Sequence, residues 1–298
     1  RTVLQKPPGW EVEPGSAEPL APASGGRHHQ LLHFLRALSP VRVWPITNDG
    51  EHHYGFLHRL DVPSSGLILV AKDYHAYYDL RLQLSAGTLA RDYLVLCHGH
   101  VRPECREVST RISWNDSKQS PGRVLAVGKP SLTRLKVLAH ALRDGQPFSL
   151  VAVRIATGRR HQIRIHFQHI GHPTVCDGKY TGTEVYSADI EWCPRNFLHR
   201  HRLAFHDGFG KAHEALAPLP VDLSSALLEL APADDGASAA ALQRWTEGSH
   251  LQSWEECRPL QPRSETSSTE VARRDAGPAI DGAPGISARP GPLASNRH

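Results

Sequence analysis

One carboxylate, Asp61, lies in a segment whose residue types could catalyse a reaction. His58 and Arg59 precede it, and a Pro-Ser-Ser-Gly turn at residues 63 to 66 separates it from an unbroken apolar run at residues 67 to 71. An apolar run of this length after a turn predicts a strand that is buried on both faces. We therefore expect Asp61 on a rigid loop at the mouth of a buried strand. It would act there either as a catalytic carboxylate or as a cap of the turn, which is a common role of Asp.

A cluster of arginines forms the second group of residues that could do chemistry. Arg159, Arg160 and Arg164 stand near the start of a segment with helical periodicity that ends at Gly171. The periodicity is carried by residues at i, i+3, i+4 and i+7: Ile163, His166, Phe167 and Ile170. The helix dipole favours acidic residues, not basic ones, at a helix N-terminus. The arginines therefore indicate a partner, either an anion or a buried carboxylate, unless they form a solvated basic face.

Histidines in the same segment allow a metal site as an alternative. Four histidines lie between residues 161 and 172, and zinc sites on helices use ligands three or four residues apart. Only Cys176 and Asp177 follow as further ligands, so the spacing gives this alternative little support. The sequence has neither a GxSxG nucleophile elbow nor a Gly-rich phosphate-binding loop between a strand and a helix. We expect no metal and no nucleotide cofactor.

Local patterns predict the elements that position these residues. Strands are predicted at residues 91 to 97, 133 to 138, 149 to 155 and 197 to 207, and helices at residues 30 to 38, 74 to 86 and 163 to 170. We expect Asp73 to cap the second helix and Gly87 to end it. Asp144 and Gly145 form a hairpin signal. We also expect an exposed loop at residues 181 to 194 and a short helix capped by Asp222.

The composition changes near residue 231. Residues 1 to 230 carry 27 Lys/Arg and 21 Asp/Glu, a mild basic excess that suits a polyanionic partner but is also common on ordinary soluble proteins. The remaining residues are rich in Ala, Ser, Pro, Gly and Glu. We therefore predict one folded domain at residues 1 to 230 and a largely disordered tail at residues 231 to 298. Within that tail, a helix is expected at residues 238 to 247 and disorder at residues 258 to 298.

Cysteine usage and hydropathy bear on location. The five cysteines are odd in number and include no CxxC pair, which indicates reduced thiols in an intracellular compartment, either the cytoplasm or an organelle. No apolar run is long enough to span a bilayer, so we expect no membrane partner. We expect a monomer.

Several motifs, in the same order along the chain, resemble those of the RluA-type RNA pseudouridine synthases. HRLDVPSSG, followed by an apolar strand and AK, resembles that family's HRLD motif, and KPPGW resembles its K-P-x-G segment. RDYLVLCHG and TGRRHQIRIHFQHIGHPTVCDGKY are similar to two further motifs, and LHRHRLAF and APLPVDL to the closing strand and helix. The resemblance covers residues 3 to 230. It implies an α+β fold with a mixed, mainly antiparallel central β-sheet, flanking helices and loops, and an active-site cleft across the sheet.

The resemblance also implies a reaction and roles for particular residues. The reaction is the isomerisation of uridine to pseudouridine in structured RNA, either ribosomal or transfer RNA, without a cofactor. Asp61 would be the catalytic carboxylate, acting as a nucleophile or stabilising an oxocarbenium-like sugar. Arg164 would pair with Asp61, Tyr93 would stack on the uracil, and Arg59 would enter the space left by the flipped base. The other substrate-binding residues implied are His58, Arg91, Arg159 and His161.

The sequence departs from the family pattern at four positions. Ser64 stands for Thr, Arg91 for Lys, Cys176 for Gly, and Arg200 for the Ala of a Leu-His-Ala motif. None of these positions is one of the three residues implied in catalysis, so we expect an active enzyme. The alternative is a catalytically idle RNA-binding protein with the same fold. A hydrolase that cleaves N-glycosidic bonds is a more remote alternative, and it would release free uracil.

Overall fold

The structure, a computed structural model, describes residues 1–13, 29–38, 43–114, 121–234, 236–248 and 252–262 of the 298 residues. They belong to a compact unit, Arg1–Gln261, except for Pro262, which starts a second unit, Pro262–His298. From residue 263 onwards, the tail for which we predict disorder lies outside the described residues. No helix among the described residues is both long enough and apolar enough to cross a membrane.

The described residues form ten strands and six α-helices. The strands are β1 (Thr2–Lys6), β2 (Ser65–Val70), β3 (Ala90–His98), β4 (Glu107–Ser113), β5 (Arg123–Val124), β6 (Lys129–Arg143), β7 (Gln146–Ile155), β8 (Leu198–His206), β9 (Ala212–Leu216) and β10 (Ala231–Pro232). The helices are α1 (Leu31–Leu38), α2 (Tyr74–Ala86), α3 (Gln162–His169), α4 (Thr183–Asp189), α5 (Val221–Leu228) and α6 (Ala237–Glu247).

The strands belong to one sheet with two covered faces. Its main order is β1-β2-β8-β3-β7-β6-β4-β5, with β9 paired to β8 and β10 to β6. Only β2 and β8 pair in parallel among the described strands. Alternate residues of β3 face opposite sides: Val95 belongs to a core with residues of α1 and α3, and Leu94 to a core with residues of α5 and α6. The predicted α+β fold with a mixed, mainly antiparallel sheet is confirmed.

Turn and cap residues act where their sequence patterns predict. Asp144 and Gly145 have φ of 49° and 76°, as a two-residue hairpin between β6 and β7 requires. The side chain of Asp73 accepts a hydrogen bond from the backbone N–H of Ala76 at 2.7 Å, and Gly87 ends α2 in the left-handed conformation. These short-range predictions are confirmed because the residues involved are neighbours in sequence.

Two predictions between residues 181 and 230 need correction, the first of them only in part. Most of residues 181 to 194 are exposed, as predicted, but they include the helix α4. Its last residue, Asp189, is buried, and its carboxylate accepts hydrogen bonds from the Cys176 N–H at 2.7 Å and from His98 at 2.9 Å. Asp222 does not cap α5, since Pro220 occupies the N-cap position. Its carboxylate instead accepts two hydrogen bonds from Arg195, at 2.6 and 3.1 Å.

The compact unit extends past residue 230, where the composition changes. Helix α6 matches the helix predicted at residues 238 to 247, and Leu242 and Trp245 from it enter the core beneath β3 and β7. Strand β10 pairs with β6, and the N–H of Leu260 donates to the carbonyl of Val137 at 2.7 Å. The Ala-rich composition hides this packing because Leu242 and Trp245 are the only large apolar side chains among the eleven residues of α6.

The parallel pairing of β2 with β8 depends on Gly66. This residue lies opposite Arg200 with a φ of +123°, and a Cβ there would stand 2.3 Å from the Arg200 carbonyl oxygen. We expect Gly66→Ala to lower the free energy of unfolding by about 1–3 kcal/mol, because backbone atoms must move apart. Gly87→Ala is the matched control, since its φ is +73° but no atom lies within 4 Å of the added Cβ. Equal losses for both variants in denaturant titrations would contradict this prediction.

Candidate active site

A cleft of about 870 Å³ crosses the sheet next to the turn between Asp61 and β2. Its volume lies within the range of small-molecule binding sites. The cleft is lined by all eight residues that the sequence implies for the site: His58, Arg59, Asp61, Arg91, Tyr93, Arg159, His161 and Arg164. They come from the loop before β2, from β3, from the loop after β7 and from α3.

The backbone and the side chain of Asp61 make hydrogen bonds to different parts of the site. Its backbone carbonyl accepts a hydrogen bond from the Ser64 N–H at 3.1 Å, which closes the turn. Its carboxylate accepts a hydrogen bond from Arg164 Nη1 at 3.0 Å and lies 3.8 Å from His161 Nε2. The side chain is 15% exposed, so it can be reached from the cleft. The turn therefore fixes the backbone and leaves the carboxylate directed at the cations.

Arg164 is shared between two carboxylates. Its Nε and Nη2 each donate to Asp177 at 2.7 Å, while its Nη1 donates to Asp61. Asp177 is itself fixed, because it accepts from the Thr174 hydroxyl and from the Lys179 N–H, both at 3.1 Å. Burial alone would lower the pKa of Arg164, but the hydrogen bonds and charges of these carboxylates raise it. Arg164 is therefore a permanent cation whose orientation Asp177 sets.

The surrounding cations keep Asp61 ionised. Burial alone would raise its pKa, but the charges of His161 and Arg164, together with the hydrogen bond from Arg164, lower it to about 2. An ionised carboxylate is the form that can attack or stabilise an electron-poor carbon.

Asp61 should make the stability of the protein depend on pH between about 4 and 2. As the pH falls through 3.8, its ordinary value, the unfolded chain takes up a proton, whereas the folded chain does so only near 2. The free energy of unfolding must then fall with pH across this window. We expect Asp61→Asn to show a shallower fall than the parent protein in denaturant titrations. Parallel curves would contradict the lowered pKa.

Tyr93 contacts a buried arginine, Arg200, that the sequence patterns did not assign to the site. Arg200, which is 1% exposed, donates a hydrogen bond to the Tyr93 hydroxyl oxygen, and its Cζ lies 4.8 Å from the ring centroid. Its Nη1 also donates to His58 Nδ1 at 2.6 Å. Burial, followed by the charges of Arg200 and Arg91, lowers the pKa of His58 well below its ordinary value. The only sequence signal for Arg200 was its departure from the Leu-His-Ala pattern.

The other predicted cations occupy different depths of the cleft. Arg91 is 5% exposed, and burial, opposed by Tyr93 and reinforced by Arg200, lowers its pKa to about 10. Arg59 and Arg159 are exposed, and Arg159 Nε donates to the Pro130 carbonyl at 3.1 Å. The floor and the rim of the cleft are thus both positively charged, which suits an anionic ligand.

Lys6 is a second residue that the sequence left unassigned. It is fully buried, and its Nζ donates to the carbonyls of Pro7 and Trp10 at 2.9 Å and of Val62 at 3.2 Å. Because Val62 follows Asp61, this lysine ties the end of β1 to the loop that carries the carboxylate. The KPPGW segment was the signal that could have identified it.

The histidines of α3 do not assemble a metal site within the described part of the chain. No three His, Cys, Asp or Glu side chains lie close enough there to share an ion. His166 instead is buried, with its Nε2 at 2.9 Å from the hydroxyls of both Thr110 and Ser131. Burial, with a smaller effect of His169, lowers the pKa of His166 to about 4, so it is a neutral packing residue.

Comparisons with known proteins agree with this geometry. A family model described as RNA pseudouridylate synthase matches residues 2–169. Ribosomal large subunit pseudouridine synthase C of Vibrio cholerae is 33% identical over 231 residues, which are 76% of this chain and 66% of that protein. Ribosomal large subunit pseudouridine synthase D of Escherichia coli is 30% identical over 241 residues, which are 78% of this chain and 68% of that protein. The chain thus spans about two thirds of the length of these relatives.

Solved structures give the same result. Human RNA Pseudouridylate Synthase Domain Containing 1 aligns with a TM-score of 0.52 and 29% identity, over 66% of this chain and 82% of that one. Human RNA Pseudouridylate Synthase Domain Containing 4 aligns with a TM-score of 0.52 and 18% identity, over 77% of this chain and 90% of that one, which shows a shared fold. With the family model covering more than half of the residues, this chain belongs to the RNA pseudouridylate synthase family.

Proposed function

We propose that this chain is an RNA pseudouridine synthase that isomerises uridine to pseudouridine in structured RNA, with ribosomal RNA as its substrate class. One observation carries the proposal: within a chain of this family, Asp61 lies in a cationic cleft with Arg164 Nη1 at 3.0 Å. The choice of ribosomal RNA rests on relatives that are named ribosomal large subunit pseudouridine synthases.

The reaction uses the ionised state of Asp61. The target uridine first leaves its stack, at a cost of a few kcal/mol in a duplex and less in a loop. Asp61 then either adds to C1′ or stabilises the positive charge that develops on the sugar as the C1′–N1 bond breaks and its electron pair stays on the uracil. The uracil turns and C5 bonds to C1′, which releases the Asp61 carboxylate where it had added; the C5 proton leaves to solvent, and N1 gains a proton. No atoms or electrons are gained or lost overall, so the isomerisation needs no redox partner.

The other residues of the cleft hold the RNA around Asp61. Tyr93 packs against the uracil, and the exposed Arg59 enters the space that the flipped base leaves in the RNA. Four more residues contact the nucleotide and its phosphates: His58, Arg91, Arg159 and His161. Arg164 orients Asp61 and keeps it ionised. All of these residues come from one chain, so the proposed site is complete in a monomer.

Tritium release from RNA that carries [5-³H]uridine tests this function. We expect the protein to release tritium from ribosomal RNA, and nuclease digestion of the product to yield pseudouridine. Release of free uracil would identify a hydrolase instead. RNA binding without tritium release from ribosomal or transfer RNA would favour the alternative, an idle RNA-binding protein. Comparing tritium release from ribosomal RNA with release from transfer RNA distinguishes the two substrate classes. Both substrates imply an intracellular site of action, in the cytoplasm or an organelle.

A further inference from the structure

Helix α2 carries apolar residues on two faces. Its inner face packs into the core through Ala76, Tyr77 and Leu80, which are buried. On the opposite side, Tyr78 is 60% exposed and Leu82 is 67% exposed. A surface helix normally has one apolar stripe and a polar face towards water. Tyr78 and Leu82 are therefore two neighbouring large side chains that the fold itself leaves uncovered.

The outward residues form a continuous stripe along one side of the catalytic cleft. Tyr78, Arg81, Leu82 and Ser85 follow the i, i+3, i+4, i+7 spacing of one helix face, and we call them the outer face of α2. All four line the same cleft as Asp61. Whatever enters the cleft from this side must pass along the outer face of α2.

Tyr78 is held in place before any ligand arrives. Its hydroxyl lies 2.7 Å from His52 Nε2, and His52 Nδ1 lies 2.8 Å from Asp49 Oδ2. Its ring meets those of His52 and Tyr77 edge-on, with centroids 5.5 and 5.7 Å apart. A ring that is already fixed loses little conformational entropy when another ring stacks on it. The exposed side of Tyr78 is therefore prepared for stacking.

We propose that the outer face of α2 is a docking surface for unpaired nucleotides that flank the flipped uridine. A base stacks on Tyr78 and packs against Leu82, while Arg81 contacts the adjacent phosphate. Aromatic rings combined with cations are the usual means of binding single-stranded nucleic acid. Continuity with the cleft identifies RNA as the occupant, because the strand that delivers uridine to Asp61 must continue past its rim. This inference rests on the proposed function and assigns the RNA a path of approach.

Affinity for a single-stranded RNA tests the docking surface directly. With fluorescently labelled oligouridine, we expect Tyr78→Ala to weaken binding roughly tenfold, because a base loses its aromatic partner. Tyr78→Phe should retain the affinity, since it keeps the ring, and Leu82→Ala should weaken binding less than Tyr78→Ala does. Arg81→Gln should lower the slope of log affinity against log salt by about 0.7, the value for one phosphate contact on a single strand. In tritium release, Tyr78→Ala should raise KM and leave kcat unchanged, because Asp61 is untouched.

Leu228→Ala is the matched control. Leu228 lies on α5, is 71% exposed and does not line the cleft, so its loss should change neither affinity nor KM. Binding by Tyr78→Ala and Leu82→Ala that equals the parent protein would overturn the proposal. If these substitutions instead change the sedimentation of the protein in the absence of RNA, the outer face of α2 binds a second copy of the chain. That result would also overturn the proposal. If the parent makes no pseudouridine but Tyr78→Ala still loses oligouridine affinity, the proposed function fails and the docking surface stands.

Discussion

Asp61→Asn should abolish tritium release, with kcat lower by roughly 10⁴-fold, the scale seen when a group acting directly in catalysis is removed. Asn keeps the size of the side chain but loses the negative charge, so it can neither attack C1′ nor stabilise a cationic sugar. Arg164 keeps its two hydrogen bonds to Asp177, each 2.7 Å, so its orientation should survive. Single-turnover kinetics at saturating RNA measure the loss.

Two further measurements make this prediction specific. RNA binding by Asp61→Asn should stay close to that of the parent protein, because the cations of the cleft remain and one negative charge has been removed from it. Asp207→Asn is the matched control, since Asp207 lies at the turn between β8 and β9, away from the cleft, with its carboxylate on His213 at 2.9 Å. A variant Asp61→Asn that retains more than a tenth of the parental kcat would rule out the assigned role.

Removing Arg164 should damage both stability and catalysis. In Arg164→Met the carboxylate of Asp177, whose side chain is fully buried, loses its cation, and Asp61 loses its nearest one. Breaking a buried ion pair from one side costs about 3–5 kcal/mol, because an uncompensated charge stays buried. We expect a loss of this size in denaturant titrations. We also expect kcat to fall, since Asp61 is then neither oriented nor held ionised.

A double variant separates the two effects. Arg164→Met combined with Asp177→Leu removes Arg164 and the fully buried one of its two carboxylates, and replacing a buried pair with apolar residues often costs little stability. Stability should therefore recover in large part, with the remaining loss due to Asp61, and kcat should stay low because Asp61 still lacks its nearest cation. Arg154→Met is the control for a buried ion pair outside the cleft: Arg154 donates two hydrogen bonds to the buried Asp92, at 2.6 and 2.8 Å, and does not line the cleft, although Asp92 keeps a hydrogen bond from Arg202 at 2.8 Å. It should lose stability and keep kcat. Recovery of kcat in the double variant would show that Arg164 acts only on stability.

The elements of the fold were predictable wherever a few neighbouring residues decide the structure. The apolar run at residues 67 to 71 predicted β2, and all six residues of that strand are buried. Asp73 and Gly87 predicted both ends of α2, and Asp144 with Gly145 predicted the hairpin of β6 and β7. Caps and turns depend on hydrogen bonds and φ angles within four residues, so the local sequence contains all the information they need.

The prediction failed where a residue has partners far along the chain. Residues 181 to 194 are mostly exposed, as predicted, but they include α4, whose last residue, Asp189, is buried with hydrogen bonds to Cys176 and His98 from other parts of the chain. Asp222 looks like a helix cap, but Arg195 recruits its carboxylate from outside the helix. For Asp222, a tertiary hydrogen bond between charged groups outweighs the local preference, which is consistent with the greater strength of charge-assisted hydrogen bonds.

The candidate site likewise has features that the sequence predicts and features that depend on tertiary contacts. The sequence by itself, read with its family resemblance, determined the residue types and the order of the motifs, and so named Asp61, Tyr93 and Arg164 together. Only the tertiary structure decided that Arg164 is divided between Asp61 and Asp177, 103 and 13 residues away, and that Arg200 supports Tyr93 from 107 residues away. The physical reason is that an arginine pairs with whichever acceptors the packed sheet and helices bring within about 3 Å, and sequence separation does not fix that distance.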